Sequence, residues 1–416
     1  MQIGHRGSGC TRCRMMGGQQ LSANPPKIEA DPAIGAGMLN LFRLPIVHYG
    51  CHAEEAISRL ASERGARRVL PVVTSSLLAN RTVQNTLARL GSSTCPVFSA
   101  LKPHTPLEVV LDLVETIDRL NPDLIVVFGG GSAIDAAKIA RLAIAAGQRD
   151  REGLLGLRGD QSGRRLPEPG SLPIIAVPTT LSAAEFGIIG GATDMTTGIK
   201  HIFRSDTLAP DVVVYDPWLG AETPPDLWLS TGIRSVDHGI EAVLSRDATP
   251  LTDALALRGL KLLQEGLRGS HAQPNSIAAR HHCQLGVWLA GSTIGRVPYG
   301  ASHGLGHQLG AVAGVPHGIT SCVLLPAVLT YNEPMSSERQ AEIAAAFNRP
   351  GVKAADAVRD FIAGLGLPTR ISQLDVPEEA LSRIAETSLG NAFVQANIRP
   401  VKTQADALAI LKLAYA

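Results

Sequence analysis

The sequence is poor in aromatic residues: Phe, Trp and Tyr make up 4% of its 416 residues. Proteins that read single-stranded nucleic acid stack bases on aromatic platforms, so the composition argues against that class. Charge of one sign is also lacking. Lys and Arg number 38 against 37 Asp and Glu, a net charge of +1, whereas non-specific nucleic-acid binding needs a basic face. The same balance argues against a disordered acidic or basic tail protein. The six cysteines (Cys10, Cys13, Cys51, Cys95, Cys283 and Cys322) are too sparse for a disulfide-stapled secreted fold. No apolar run reaches the ~18–20 residues that cross a bilayer. The opening MQIGHRGSGCTRCRMMGGQQ has no apolar core of a secretory signal. The expected setting is a reducing cytoplasm, with neither nucleic acid nor membrane as partner.

What is present fits an enzyme with many tight turns: 45% apolar residues, 42 Gly and 27 Pro. At roughly 100–200 residues per domain the length suggests two domains. Residues 1–37 are rich in Gly, Pro, Ser, Arg and Gln without a period and read as a disordered leader or an added extension. Cys10 and Cys13 have metal-ligand spacing, but no second Cys or His pair lies near to close a zinc site. From residue 38 to 219 short apolar runs alternate with helical periods. Strands are expected at 68–74, 95–99, 123–128, 173–177 and 211–215, with helices at 54–65, 83–91, 106–120 and 133–146. That alternation implies βαβ units and a parallel, Rossmann-like sheet covered on both faces. From 220 to 416 the pattern is helical, with expected helices at 226–245, 250–268, 275–294, 303–314, 338–348, 354–365, 377–388 and 404–415. The fold class is an α/β dinucleotide-binding half followed by an all-α half.

Three strings carry chemistry. Gly129-Gly130-Gly131-Ser132 follows the run DLIVVF and opens a helix. Glycines let backbone approach a phosphate, and the helix N-terminus offers unpaired N–H groups to the anion. The string is neither GxGxxG nor a Walker motif. Thr179, Thr180 and Ser182 lie just after the strand PIIAV, where open α/β sheets hold ligands; alone, a hydroxyl-rich loop more often caps the next helix. His303 and His307 are four apart on one helix face, His317 follows a turn, and His238 lies on an earlier helix. Neutral imidazoles ligate zinc or ferrous iron, or relay protons. The other histidines, His104 among them, form no comparable cluster.

Together GGGSAIDAAK, PTTLSAAEF, GIRSVDHGIE and SHGLGHQLGAVAGVPHG resemble the iron-containing alcohol dehydrogenase superfamily, from about residue 41 to the end. The resemblance implies a dehydroquinate synthase-like fold with NAD or NADP between the halves. By it, Gly129, Gly130, Gly131 and Ser132 hold the pyrophosphate with Asp135 nearby. Thr179, Thr180 and Ser182 line the cleft, and Lys200 reaches the ribose. In metal-dependent members an Asp and three His bind a divalent ion; the His positions match His238, His303 and His317, and the extra proton-relay histidine matches His307. The Asp position, four before the first His, is Arg234 here. A guanidinium does not ligate metals and repels a dication, which argues against bound iron or zinc. Asp237, adjacent to His238, is expected to point elsewhere on the helix unless a shifted geometry recruits it.

The phrases PTTLSAAEF, PHGITSCVLLPAVLTYN and NIRPVKTQADALAILKLAY look more like the maleylacetate reductase branch. That branch has lost the Asp, is regarded as metal-independent and reduces an unsaturated oxo-dicarboxylate in aromatic degradation. It usually carries a neutral residue there, so Arg234 is unusual even in it. The resemblance implies hydride transfer to a carbonyl or carboxylate-bearing substrate, with His307, His238, His303 and Arg234 as the catalytic set and a homodimer as assembly. The alternative is a metal-dependent alcohol dehydrogenase with three His ligands. Thr74-Ser75-Ser76 lacks the carboxylate that NAD-preferring members place after the first strand, so NADP is allowed.

Overall fold

The computed structural model describes residues 44–159 and 172–416, which belong to one compact unit. The expected leader, with Cys10 and Cys13, lies outside the described residues. Among the described residues seven strands run in chain order: β1 (Ile46–Tyr49), β2 (Val69–Val73), β3 (Leu124–Gly129), β4 (Ile174–Pro178), β5 (Ile189–Asp194), β6 (Ile199–Arg204) and β7 (Val212–Tyr215). Five form a parallel sheet in the order β1-β7-β4-β3-β2.

The sheet explains its own sequence. In β3, Ile125 and Val127 enter the core under the helix Gly131–Ala145, while Leu124, Val126 and Phe128 enter the core on the other face. Alternate residues of β2 and β4 divide the same way. A strand buried on both faces needs an unbroken apolar run, which is what these segments have. Pro71 is tolerated in β2, an edge strand, where its carbonyl accepts from Phe98 N at 2.9 Å.

Residues 95–99, expected as a strand, make a single isolated bridge to β2, Phe98 to Val72, with another from Thr94 just before them. Pro96, with no N–H to give, interrupts a ladder there. β5 and β6 were not expected. They form an antiparallel hairpin that turns at Gly198, whose φ of +71° favours glycine. This hairpin delivers Lys200 to the site.

After β7 the described residues form helices and no strand. The helix expected over 338–348 is the end of a much longer one, His317–Ala346, with Pro326 and Pro334 inside and a non-helical Ser336 (φ −149°) marking a kink. Apolar side chains of β7 (Val213 and Tyr215) and of the segment after β4 (Leu181, Ala183 and Phe186) share a core with the helices Pro225–Val243 and Pro250–Ala272. The change of texture near residue 219 therefore falls within continuous packing. Among the described residues no helix is long and apolar enough to cross a membrane.

Candidate active site

The glycine loop sits between the ends of three neighbouring strands. A Cβ on Gly129 would lie 2.3 Å from Thr74 Oγ1, one on Gly130 2.8 Å from Thr180 Oγ1, and one on Gly131 3.0 Å from Ser182 Oγ. Contacts this close leave room for glycine alone. The helix Gly131–Ala145 starts with no side-chain cap, so its first N–H groups stay available. Thr180 Oγ1 and Ser182 Oγ are buried beside it without a partner. Orphaned hydroxyls and an open helix N-terminus around a loop that excludes side chains suit a bound phosphate, and the residues present fit a dinucleotide.

The other predicted residues of this half have clear positions. Thr179 pins the loop: its N–H donates to Gly129 O at 3.0 Å and its carbonyl accepts from Thr223 Oγ1 at 2.6 Å. Ser132 is half-buried, and its carbonyl accepts from Thr105 Oγ1. Asp135 accepts from the buried Lys138 Nζ at 3.2 Å and from Gly191 N at 3.0 Å, so it ties the helix to β5. Lys200, across the hairpin, donates from Nζ to His317 Nε2 at 3.0 Å.

The histidines converge from three helices. On Pro225–Val243, Arg234, Asp237, His238 and Glu241 share one face at helical spacing. Glu241 accepts backbone N–H bonds from Gly300 (3.0 Å), Ser302 (2.8 Å) and His303 (3.3 Å), satisfying the start of the helix Ala301–Ala313. That helix then presents His303 and His307. Its successor, His317–Ala346, packs on the first helix through Gly318, where a Cβ would fall 2.6 Å from Ser230 O.

Two ring pairs result. The inner pair, His238 and His303, has centroids 4.9 Å apart; the outer pair, His307 and His317, 5.8 Å. Glu241 accepts from His303 Nδ1 at 2.6 Å, which leaves His303 Nε2 buried without a partner. Arg234 extends into this group with its side chain 11% exposed. Its NH2 donates to His307 Nε2 at 3.5 Å, and its NH1 donates to Ser321 Oγ at 3.1 Å. Burial and then the Arg234 charge hold the His303 and His307 pKa values well below the usual 6.5. His238 is lowered by burial, His303 and Arg234; His317 by the Lys200 charge first and burial second. All four rings are neutral near pH 7. Burial pushes Asp237 and Glu241 upward, while the guanidinium opposes this.

Of the two positions left open for Asp237, the structure has the recruited one: it lies 3.5 Å from Arg234 NH1 and belongs to the cluster. His104, set aside from sequence, is also brought in, its ring centroid 6.0 Å from that of His317. Glu241 was missed although its spacing from Arg234 and His238 places it on their face. The three-histidine ion set is not assembled. Among the described residues the ligand atoms that cluster within 4.8 Å are those of Asp237, Glu241 and His303, without His238 or His317. His317 Nε2 faces the Lys200 ammonium, and a guanidinium stands beside Asp237. These residues do not fit a three-histidine divalent ion.

Residues 45–217 match the family Iron-containing alcohol dehydrogenase, and residues 228–415 match Fe-containing alcohol dehydrogenase family, C-terminal. The chain is 33% identical over 371 residues to Dehydrogenase ALT3 of Alternaria alternata, covering 80% of this chain and 95% of that protein. It is 33% identical over 306 residues to a maleylacetate reductase of Rhizobium sp. strain MTP-10005, covering 74% and 78%. The crystal structure of maleylacetate reductase from that strain superposes with a TM-score of 0.77 at 28% identity, covering 91% of this chain and 99% of the other.

Proposed function

The chain belongs to the iron-containing alcohol dehydrogenase family and is an oxidoreductase, and from this premise we propose that it is a maleylacetate reductase-like enzyme that transfers hydride from NADH or NADPH to an oxo-carboxylate. The observation that carries the reading is the buried Arg234 guanidinium at the centre of a neutral histidine cluster.

A reduced nicotinamide bound here would supply the hydride. The backbone at Gly130 and Gly131, with Thr180 Oγ1 and Ser182 Oγ, would hold its pyrophosphate, and Lys200 would meet the ribose. Hydride addition to a carbonyl, or to a double bond conjugated with one, leaves negative charge on the substrate oxygen. Arg234 faces that oxygen or an adjoining carboxylate. A fixed guanidinium in a poorly hydrated site stabilises developing charge without reorganising, and its fork matches a carboxylate. His307 accepts from Arg234 at Nε2 and so carries its own proton on Nδ1. A neutral imidazole N–H can serve an oxyanion. His307 Nδ1–H donates a hydrogen bond to the substrate oxygen and orients the water that supplies its proton from solvent. His238 and His303 form the buried floor, and Glu241 keeps His303 Nε2 free to accept a hydrogen bond from substrate.

The test is NAD(P)H oxidation, followed by absorbance, with maleylacetate and with simple aldehydes and alcohols. Turnover of the oxo-dicarboxylate well above the uncharged compounds is expected. Turnover confined to simple alcohols and aldehydes would exclude the reductase reading.

A further inference from the structure

A guanidinium taken out of water needs a fixed counter-charge, or both its energy and its orientation suffer. The carboxylate facing Arg234 is Asp237, one helical turn onward, whose side chain is fully buried. The contact is not a simple ion pair. Arg234 NH1 lies 3.5 Å from Asp237 Oδ2, and Ser321 Oγ stands between them, accepting from NH1 at 3.1 Å and donating to Oδ2 at 2.6 Å. Ser302 Oγ donates to the same oxygen at 2.9 Å. Three helices thus meet on one carboxylate oxygen: Pro225–Val243 brings the pair, Ala301–Ala313 brings Ser302, and His317–Ala346 brings Ser321. The other end of the guanidinium, NH2, reaches His307. A planar group held at one edge has its second edge aimed.

We propose that Asp237, acting through Ser302 and Ser321, is the positioning residue that aims the Arg234 guanidinium at His307 and at the reacting oxygen. It does not touch substrate. The proposal rests on the reading of Arg234 as the group that stabilises charge on that oxygen, and the tests below separate the two. The competing role is stability alone: a carboxylate that neutralises a buried cation and does nothing to its aim.

Chemical rescue distinguishes them. Arg234→Gly removes the side chain and leaves a guanidinium-sized space beside Asp237, so turnover should collapse and return in part with millimolar guanidinium. In Arg234→Gly/Asp237→Asn, loss of neutralisation alone would only raise the guanidinium concentration needed for rescue, whereas loss of aim should also lower the rescued kcat at saturating guanidinium about tenfold or more. Asp237→Asn alone should lower kcat about tenfold or more, as misplacement of a catalytic group does, with the coenzyme Kd unchanged; Asp237→Glu should recover part of that loss. Should Asp237→Asn unfold the protein, the double variant Arg234→Met/Asp237→Asn, which removes both charges, serves as the folded reference for the rescue background.

A rescued kcat at saturating guanidinium that is equal with and without Asp237→Asn, or parental kcat in Asp237→Asn, overturns the positioning role. Full activity in Arg234→Gly without guanidinium instead overturns the reading of Arg234 on which it rests.

Discussion

Lys200 Nζ lies 3.0 Å from His317 Nε2, joining the β5–β6 hairpin to the first residue of the helix His317–Ala346. The contact links the α/β half to the helical half and occupies the ring nitrogen that a metal ion would need. Lys200 is also the largest influence on His317, lowering its pKa further than burial does. Replacing Lys200 by Met should therefore raise the His317 titration, while burial, Arg234, His307 and His104 still hold it below 6.5. The His317 ring-proton NMR shift across pH 5–8 checks this; an unmoved titration would contradict it.

Arg234→Asp should convert the site. The exchange removes the cation and adds a carboxylate where metal-dependent relatives hold one, next to His238 and His303. The variant is expected to bind about one Zn²⁺ or Fe²⁺ per chain, whereas the parent binds little. Calorimetric titration with zinc measures it. Equal zinc binding by parent and variant would show that the guanidinium does not control the ion.

The glycine loop should tolerate no side chain. A Cβ at Gly130 would stand 2.8 Å from Thr180 Oγ1 and 2.9 Å from Thr180 Cγ2, and a β-branched residue has little rotamer freedom to yield. Gly130→Ala should weaken coenzyme binding about tenfold, near 1.4 kcal/mol, and lower the melting temperature as Thr180 is displaced. Titrating NADH and NADPH by fluorescence reads the effect.

Coenzyme preference should turn on the end of β2. The turn Ser75–Leu77 follows that strand directly and carries no carboxylate. Ser75→Asp should shift the ratio of kcat/KM toward NADH by about tenfold or more, because a carboxylate repels a 2′-phosphate. An unchanged ratio would place the adenosine ribose elsewhere.

Glu185 should make stability depend on pH. Burial pushes its carboxyl from 4.5 up to about 7, outweighing the 2.6 Å hydrogen bond from Tyr215 OH. The folded chain holds this proton more tightly than the unfolded chain does. Its stabilising contribution is therefore full below pH 4.5 and is lost as pH rises through about 7. Glu185→Gln keeps an acceptor for Tyr215 without the charge. It should raise stability at pH 8 by at most about 3 kcal/mol and change it little at pH 4.5. Denaturant melts at the two pH values test this; an equal effect at both would refute it.

The residues that were legible in sequence share a physical reason. β3 and its glycine loop stood out because a doubly buried strand is uniformly apolar and the loop beside it excludes side chains. His303 and His307 stood out because helical spacing alone puts them on one face. The hairpin did not, since β5 contains Gly190 and Gly191 and is only partly apolar, so no period-two pattern marks it. The start of the helix His317–Ala346 was hidden by Pro326 and Pro334, which read as helix breaks and are accommodated by packing. Adjacency to His238 leaves the direction of Asp237 open, whereas its spacing of three from Arg234 makes those two neighbours on the helix surface. His104 gave no local signal. Its backbone lies at φ +62°, and it is held by Thr193 Oγ1 donating to its carbonyl at 2.8 Å, a contact across 89 residues of chain.

The central claim is that the guanidinium of Arg234 serves where relatives place a metal ion. The direct measurement is the rate of NAD(P)H oxidation with maleylacetate before and after exhaustive chelation, with elemental analysis of the same sample. The account predicts an unchanged rate in protein holding far less than one Fe or Zn per chain. Loss of the rate on chelation, restored by Fe²⁺ or Zn²⁺, would contradict it.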